Sequence, residues 1–316
     1  MNPKFQELLE TIGVPTERWD DKYTATLERE LDYIKQKTYD VVYPAFKARA
    51  LIPVSGEAPP GAQNITYRQW DVFGMAQILA NYADDIPLVE ALAEEFTMKV
   101  HGIAAGYEYS IQDLRASAMS GNRLQERKAT GARRLIEAKI EDMGARGAVN
   151  YGTTGLANNA NVSLVTPTTG AWATATGQQM VADANKLVRA AVTAAKGTFA
   201  VDTLALGTQP YANFATKPMS TTGDTTWTAL KFFLESNPWI KNVEVWEKLD
   251  DLDAAGTGPR AVVYAKDPEV LTLEIPQEFE QFAPQARNLS MFVPCHARVG
   301  GVAIHYPFAV AYMDGL

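Results

Sequence analysis

The side chains that could do chemistry are few in this chain of 316 residues, and they lie far apart. There are three histidines, His101, His296 and His305, and only His296 has a cysteine, Cys295, beside it. A zinc site needs about four ligands, and a cysteine–histidine nucleophile needs a third group that orients it. We therefore interpret the histidines as structural and Cys295, the single cysteine, as a small buried apolar residue.

A short acidic run is the next candidate for chemistry. Asp250, Asp251 and Asp253, followed by Gly256, resemble the start of a calcium-binding loop. The twelfth position counted from Asp251 is Val262, however, where such a loop needs a glutamate that binds the ion with both oxygens. We interpret the run as a turn with solvated charges.

A second acid pair, Asp84 and Asp85, falls in a segment that we predict to be the tip of a two-stranded arm. An exposed tip offers no burial that would make one carboxyl an acid and the other a base. A solvated tip, or an ion pair with a neighbouring chain, remains open. The G-x-S-x-G, H-E-x-x-H and G-x-G-x-x-G patterns are absent. We predict that the protein is not an enzyme, with no catalytic, cofactor-binding or metal-binding residues and no cofactor; an enzyme with an unrecognised site is the alternative.

The composition excludes several classes of protein. A net charge of -8 without a basic run argues against binding nucleic acid through phosphate neutralisation. The hydrophobic fraction of 47% and the charged fraction of 21% are typical of a folded protein. One cysteine allows no intrachain disulfide, which favours a reducing compartment. The N-terminus lacks the features of a secretory signal, and the absence of an apolar run of about 18 residues predicts no membrane span.

The segment 109–147 is the element around which the others are arranged. Ser110 with Asp113 predicts a capping box, Gly121 predicts a break, and a helix over 123–146 follows that would be roughly 35 Å long. We expect ion pairs between Arg133 and Glu137 and between Lys139 and Asp142. The apolar or small positions recur at helical spacing: Leu124, Lys128 by its stem, Ala132, Leu135, Ile136, Lys139 by its stem, Ile140 and Met143. This pattern alone also fits an ordinary core helix.

The segments before this helix are predicted to be arms. A helix over about 16–38 has Trp19, Tyr23 and Leu27 on one stripe, which can pack on its own domain or on a neighbouring chain. Prolines make 39–63 extended. Strands over 64–79 and 94–109 predict a long two-stranded arm with its tip near 81–88. Because such an arm is marginally stable alone in water, it indicates a partner subunit.

The segments after the helix are predicted to form a second lobe. A loop rich in Gly and Asn over 144–163 has backbone amides that could hold an anion, but it lacks a lysine and the phosphate-loop order. Helices are predicted over 178–195 and 226–236, and strands over 203–206, 243–249 and 260–266. Residues 291–313 predict two apolar strands with a bend or bulge at Gly300 and Gly301.

The order of these elements resembles the major capsid proteins of tailed double-stranded-DNA phages, which have the Hong Kong 97-type fold. The best matching segments are EEFTMKVHGIAAGYEYSIQDLRAS at 94–117, IEDMGARGAVNYGTTGLAN at 140–158 and CHARVGGVAIHYPFAVAYM at 295–313, in which Arg298 and Pro307 stand where such proteins often have Arg and Pro. Residues 43–89 resemble one branch of phage and prophage capsid proteins.

The resemblance implies an α+β Hong Kong 97-type fold with an N-terminal arm at 1–63, an extended hairpin loop at 64–109 and a peripheral domain with a long spine helix at 110–177. An axial domain at 178–286 and closing strands of the peripheral domain at 287–316 complete it. The implied function is structural: self-assembly into the icosahedral head of a tailed phage that encloses double-stranded DNA. An encapsulin-like compartment shell of the same fold is the alternative.

The resemblance also implies partners and contact residues. The chain is expected to contact itself in pentamers and hexamers, with portal and separate scaffolding or decoration proteins, and to enclose DNA without sequence-specific binding or contact with a membrane. We expect it in the virion after synthesis in the bacterial host cytoplasm, and a start at Met1 favours a separate scaffold. The candidate intersubunit contacts are Trp19, Tyr23, Leu27, Asp84, Asp85, Ile86 and Pro87, and Gly121 is the candidate spine bend. Because no lysine lies between Lys47 and Lys99, we expect a shell without isopeptide crosslinks.

Overall fold

The computed structural model describes residues 43–76, 78, 87–120, 124–220, 227–252 and 258–316. The chain divides into two compact units, 1–45 and 46–316, and all the elements below belong to the second. The helices are α1 (Ala48–Leu51), α2 (Ile111–Ser120), α3 (Leu124–Ala145), α4 (Gly177–Ala195), α5 (Thr208–Thr216) and α6 (Ala229–Ser236). The strands are β1 (Val54–Ser55), β2 (Asn64–Phe73), β3 (Glu90–Lys99), β4 (His101–Ser110), β5 (Ser163–Val165), β6 (Thr203–Leu206), β7 (Asn242–Val245), β8 (Arg260–Tyr264), β9 (Leu271–Glu274), β10 (Gln277–Gln281), β11 (Gln285–Arg287), β12 (Ser290–Val299), β13 (Gly301–Ile304) and β14 (Val310–Asp314).

These strands form four sheets. One has the order β5-β14-β8-β6-β7, and a second has the order β1-β9-β13. In the third, β12 pairs along its length with β4 on one edge and with β10 and β11 on the other. The fourth is the antiparallel pair of β2 and β3, here called the ribbon.

The five-stranded sheet separates two hydrophobic cores. On β8, Val262 and Tyr264 face the first core, whereas Ala261 and Val263 face the second. The first core also contains residues of α1, α3, β9, β12 and β13, and the second is closed by α4, α5 and α6. Because successive side chains of a strand point to opposite faces, one short sheet supports both cores.

Two helices, α2 and α4, begin at capping boxes. The amide of Asp113 donates to Ser110 Oγ at 3.0 Å, and the amide of Ser110 donates to Asp113 Oδ2 at 3.2 Å, which confirms the predicted capping box of α2. A second capping box, formed by Thr176 and Gln179, begins α4. Gly121, the predicted bend between α2 and α3, lies outside the described residues.

The second strand of the predicted two-stranded arm is split between two sheets. Residues 90–99 pair with β2, but residues 101–110 pair with β12, so the chain changes sheets at Val100. The amide of Val100 donates to Gln63 O at 2.9 Å, which fixes this crossing. Apolar and polar residues alternate in both segments, and this alternation does not determine which strand each one pairs with.

The predicted bend between the closing strands is confirmed at Gly301. Its φ is +87°, a left-handed conformation that favours glycine, and an added Cβ would lie 2.3 Å from Thr153 Cγ2. The bend sends β13 into the sheet of β9, away from the partners of β12. The predicted number of two closing strands is wrong, because a third strand, β14, joins the five-stranded sheet. The domain boundaries stay a prediction; strands from both sides of residue 286 share sheets, since β9 pairs with β13 and β10 pairs with β12.

Candidate assembly surfaces

The outer face of the ribbon changes from polar at its root to apolar at its distal half. Near the root, the hydroxyls of Thr66 and Thr97 are 2.9 Å apart, and Arg68 Nε lies 2.7 Å from Glu95 Oε1. Beyond them, Trp70 pairs across the ribbon with Ala93, and Val72 pairs with Ala91. Trp70 is 65% exposed and Val72 is 63% exposed. The small alanines leave these two large side chains standing as an exposed apolar ridge.

The inner face of the ribbon is seated on the body only at its root. The ring of Tyr67 stacks on Phe96 at a centroid distance of 5.3 Å and meets His305 edge-on at 4.5 Å. Farther out on the same face, Phe73 and Leu92 are exposed. The distal half therefore shows apolar side chains on both faces, which is unusual for a surface that stays in water.

Most of the predicted contact residues lie outside the described part of the chain. This holds for Trp19, Tyr23, Leu27, Asp84, Asp85 and Ile86. Pro87 is described and is half-buried, and the adjacent Leu88 and Val89 are exposed. The large exposed residues of the ribbon were absent from the predicted contacts, although the alternation of β2 could have revealed them.

The long helix α3 has a narrower buried stripe than predicted. Ala132, Ile136, Ile140 and Met143 are buried, but Leu135, which was predicted on this stripe, is 66% exposed. The neighbouring Ile136 occupies the core position, and one residue of rotation, about 100°, turns Leu135 toward solvent. The apolar side chain of Leu135 is thus part of the exterior.

The predicted ion pairs of α3 are half confirmed. Lys139 Nζ lies 3.3 Å from Asp142 Oδ2, as predicted. Glu137 instead pairs with Arg49 at 3.3 Å. Arg133 lies over the ring of Phe279 at 5.8 Å, so tertiary contacts replace the expected pair on the helix.

A buried carboxylate fixes α1 to α3. Glu141 is 4% exposed and accepts the amides of Lys47 and Ala48, the latter at 2.7 Å. Its Oε1 also accepts the indole N–H of Trp246 at 2.5 Å. Lys47 Nζ donates to Val245 O, so the start of the second unit is held by α3 and by the end of β7.

The Gly- and Asn-rich loop uses its amides internally rather than as an anion cradle. The amides of Leu156 and Ala157 donate to carbonyls at the end of α3, at 2.8 and 2.9 Å. Arg260, which pairs with both oxygens of Asp314, donates to Ala157 O, and Tyr312 donates to Leu156 O at 2.5 Å. The loop joins the end of α3 to the five-stranded sheet.

The residues considered for chemistry are dispersed. Cys295 is buried, which raises the pKa of its thiol, and His305 contacts Tyr67. Asp250 Oδ1 accepts the amide of Gln209 in the first turn of α5. Within the described ranges, no three His, Cys, Asp or Glu side chains are grouped to hold a metal ion, and no helix is long and apolar enough to cross a membrane.

Comparison with solved structures shows the fold. The capsid of Myoviridae phage XM1 matches with a TM-score of 0.80 and 17% identity over 91% of this chain and 98% of that chain. An empty GTA particle capsid matches with a TM-score of 0.63 and 14% identity over 93% and 98%. The virus-like particle from Pyrococcus furiosus matches with a TM-score of 0.54 and 14% identity over 84% and 90%. The α+β fold is therefore of the Hong Kong 97 type.

Comparison of sequences shows the family. No curated protein matches at a significant level. The family model described as major capsid protein matches residues 74–316. This range includes β3, α3, the second core, most of the first core and the closing strands. The chain belongs to the major capsid protein family, whose members are structural proteins of the viral head shell.

Proposed function

We propose that this protein assembles in many copies into the icosahedral head of a tailed phage and that the shell encloses double-stranded DNA. The observation that carries the proposal is the ribbon, whose distal half exposes Trp70, Val72, Phe73 and Leu92 on two faces. A two-stranded ribbon with these side chains in water is marginal, whereas contact with neighbouring copies buries them.

The assembly mechanism that we propose is geometric. The body, in which two cores share one sheet, keeps its shape, while the ribbon and the part of the N-terminal arm that precedes α1 reach neighbouring copies. The axial lobes, which contain α4, α5 and α6, meet in pentamers and hexamers. Contacts by Trp19, Tyr23, Leu27, Asp84, Asp85, Ile86 and Pro87, and bending at Gly121, remain part of this proposal.

The proposed partners follow from the role in a head. They are the chain itself, a portal, and separate scaffolding or decoration proteins. We propose synthesis in the host cytoplasm, and no catalytic activity or cofactor. The charge of -8 supports a wall that encloses DNA without holding it tightly. Strong, salt-sensitive binding of DNA by free subunits would contradict this part.

Electron microscopy of purified particles, combined with nuclease protection, tests the proposal. We expect closed shells with one portal vertex that protect double-stranded DNA from digestion. Shells filled with protein and lacking a portal vertex would instead support the encapsulin-like alternative. A small monodisperse species with a bound ligand would contradict both and favour an enzyme.

A further inference from the structure

A cleft of about 560 Å³ lies at the root of the ribbon, where the ribbon meets the body. One wall consists of Ile65, Tyr67 and Met98 of the ribbon. The opposite wall contains Thr272 and Glu274 of β9, together with His305 just after β13. The cleft is bordered by two different sheets and by residues 54–58, so it has both apolar and polar walls.

Glu274 accepts fewer hydrogen bonds than Glu141 and Asp183, two buried carboxylates that do not line this cleft. Glu141 accepts from three residues, and Asp183 accepts the amide of Thr168 and the hydroxyl of Thr169. Glu274 is 7% exposed, yet within the described ranges its carboxylate accepts only the hydroxyl of Thr272, at 2.7 Å, and no Lys or Arg pairs with it.

This arrangement leaves the Glu274 carboxylate at the cleft with one hydrogen-bond donor and no cation beside it among the described residues. A buried carboxylate is costly unless hydrogen bonds or an opposite charge compensate it. The hydroxyl of Thr272 supplies one hydrogen bond to Oε1. The second oxygen has no donor among the described residues, and the open side of the cleft is where one can enter.

The charges around the cleft favour a cation from outside. Glu57 adds a second carboxylate to the lining, and none of the lining residues is a lysine or an arginine. Burial lowers the pKa of His305, which keeps its ring neutral near pH 7. The volume far exceeds that of a single ion, and the walls of Ile65 and Met98 suit the methylene stem of a long basic side chain.

We propose that this cleft receives a Lys or Arg side chain of a second copy of this chain, whose charged end pairs with Glu274. The inference rests on the proposed function, since a shell places copies side by side. The surface supplies such groups: Arg115, Arg189 and Lys241 are exposed, and none forms an ion pair within the described ranges. The contact would fasten the root of the ribbon to a neighbouring copy.

The variant Glu274→Gln tests the proposal because it removes the charge and keeps the shape. In unassembled subunits we expect an unchanged unfolding midpoint, since the carboxylate faces the open cleft and has no cation of its own chain to lose. Assembly should be weakened. We expect the concentration of subunits needed to form shells to rise at least about tenfold, because the cation of the neighbouring copy loses its counter-charge. Glu269→Gln, an exposed carboxylate that lines the adjoining cleft, is the matched control and should change neither.

Two results would overturn the proposal while leaving the proposed function intact. One is a Glu274→Gln shell that assembles and dissociates as the natural shell does. The other is an equal loss of stability in subunits and shells, which would assign Glu274 a role in folding only. If the natural chain forms no shells at all, the proposed function and this inference fail together.

A density map of the assembled natural particle gives an independent readout. We expect a Lys Nζ or an Arg guanidinium nitrogen of a neighbouring copy within 4 Å of the Glu274 carboxylate. A cation supplied by residues of the same chain, a metal ion, or water alone in the cleft would each overturn the proposal.

Discussion

At the scale of single residues, the main polar anchor is Glu141. Three residues donate to its two oxygens: Lys47, Ala48 and Trp246. A carboxylate that only accepts hydrogen bonds matches this environment, whereas an amide would turn its NH₂ group toward at least one of the donors. The charge is thus tolerated because the local donors replace the water that it loses.

We therefore expect Glu141→Gln to lower the free energy of unfolding by about 1.5 to 3 kcal/mol, the cost of a lost buried hydrogen bond to a charged group. Denaturant unfolding of subunits measures it. Glu235→Gln, an exposed position on α6, is the control and should change stability by less than about 0.5 kcal/mol. Equal values for both variants would show that the donors around Glu141 contribute nothing.

His305 gives the fold a dependence on pH. Burial lowers its pKa below the ordinary 6.5, an effect that the charge of Glu274 partly opposes. The unfolded chain then binds a proton more readily than the folded chain does. The stability that neutral His305 contributes to the fold is fully present above pH 6.5. It is lost as the pH falls through the lowered pKa of the folded state.

We predict that the unfolding midpoint of subunits falls as the pH is lowered below 6.5 and that this fall is weaker in His305→Gln. Midpoints measured at several pH values in urea test it. An identical slope in the variant would assign the pH dependence to other groups.

At the scale of elements, the ribbon packs against the body at its root and exposes apolar side chains along its distal half. Tyr67, stacked on Phe96, holds the root to the body through His305, whereas Trp70 and Val72 are largely exposed. Substitutions in the distal half should therefore affect association between copies much more than folding.

We expect the double variant Trp70→Ser, Val72→Ser to leave the unfolding of subunits within about 0.5 kcal/mol of the natural chain and to reduce shell formation at least tenfold. Sedimentation of assembly mixtures measures the reduction. Thr66→Ser, on the same face at the root, should assemble normally. A double variant that assembles with normal yield would exclude the outer face as a contact.

The sequence predicted those features that depend on neighbouring residues. The capping box of Ser110 and Asp113 and the bend at Gly301 are examples, because each follows from local backbone chemistry. It did not predict which strand pairs with which. The division at Val100, the strands β9 and β10, and the helix α5 depend on partners distant in the chain, and alternation alone does not identify them.

The exposed apolar side chains of the ribbon and α3 were missed for a similar reason. Leu135 and Trp70 are apolar, and an apolar residue in a periodic segment is ordinarily assigned to a core. Only the packing of Ile136 and the small size of Ala93 leave these side chains outside. An acceptor with few donors, such as the carboxylate of Glu274, likewise appears only when the surrounding residues are placed.

At the scale of the whole molecule, the shell is predicted to hold together without covalent bonds between chains. Residues 48–98, which include all of the ribbon except its last residue, Lys99, have no lysine that could form an isopeptide bond. Mature particles boiled in denaturant should therefore give one band at the mass of a single chain on a gel. A ladder of multiples would contradict this prediction.

The five-stranded sheet has a further consequence for hydrogen exchange. Both edges of β8 are paired, with β14 and β6, and its two faces belong to different cores. We expect water to reach the amides of residues 261–264 only when the pairing of β8 opens, which disrupts both cores. Their deuterium uptake is therefore expected to report the opening of the second unit. It is the slow reference rate with which faster uptake at the ribbon and at other surfaces is compared.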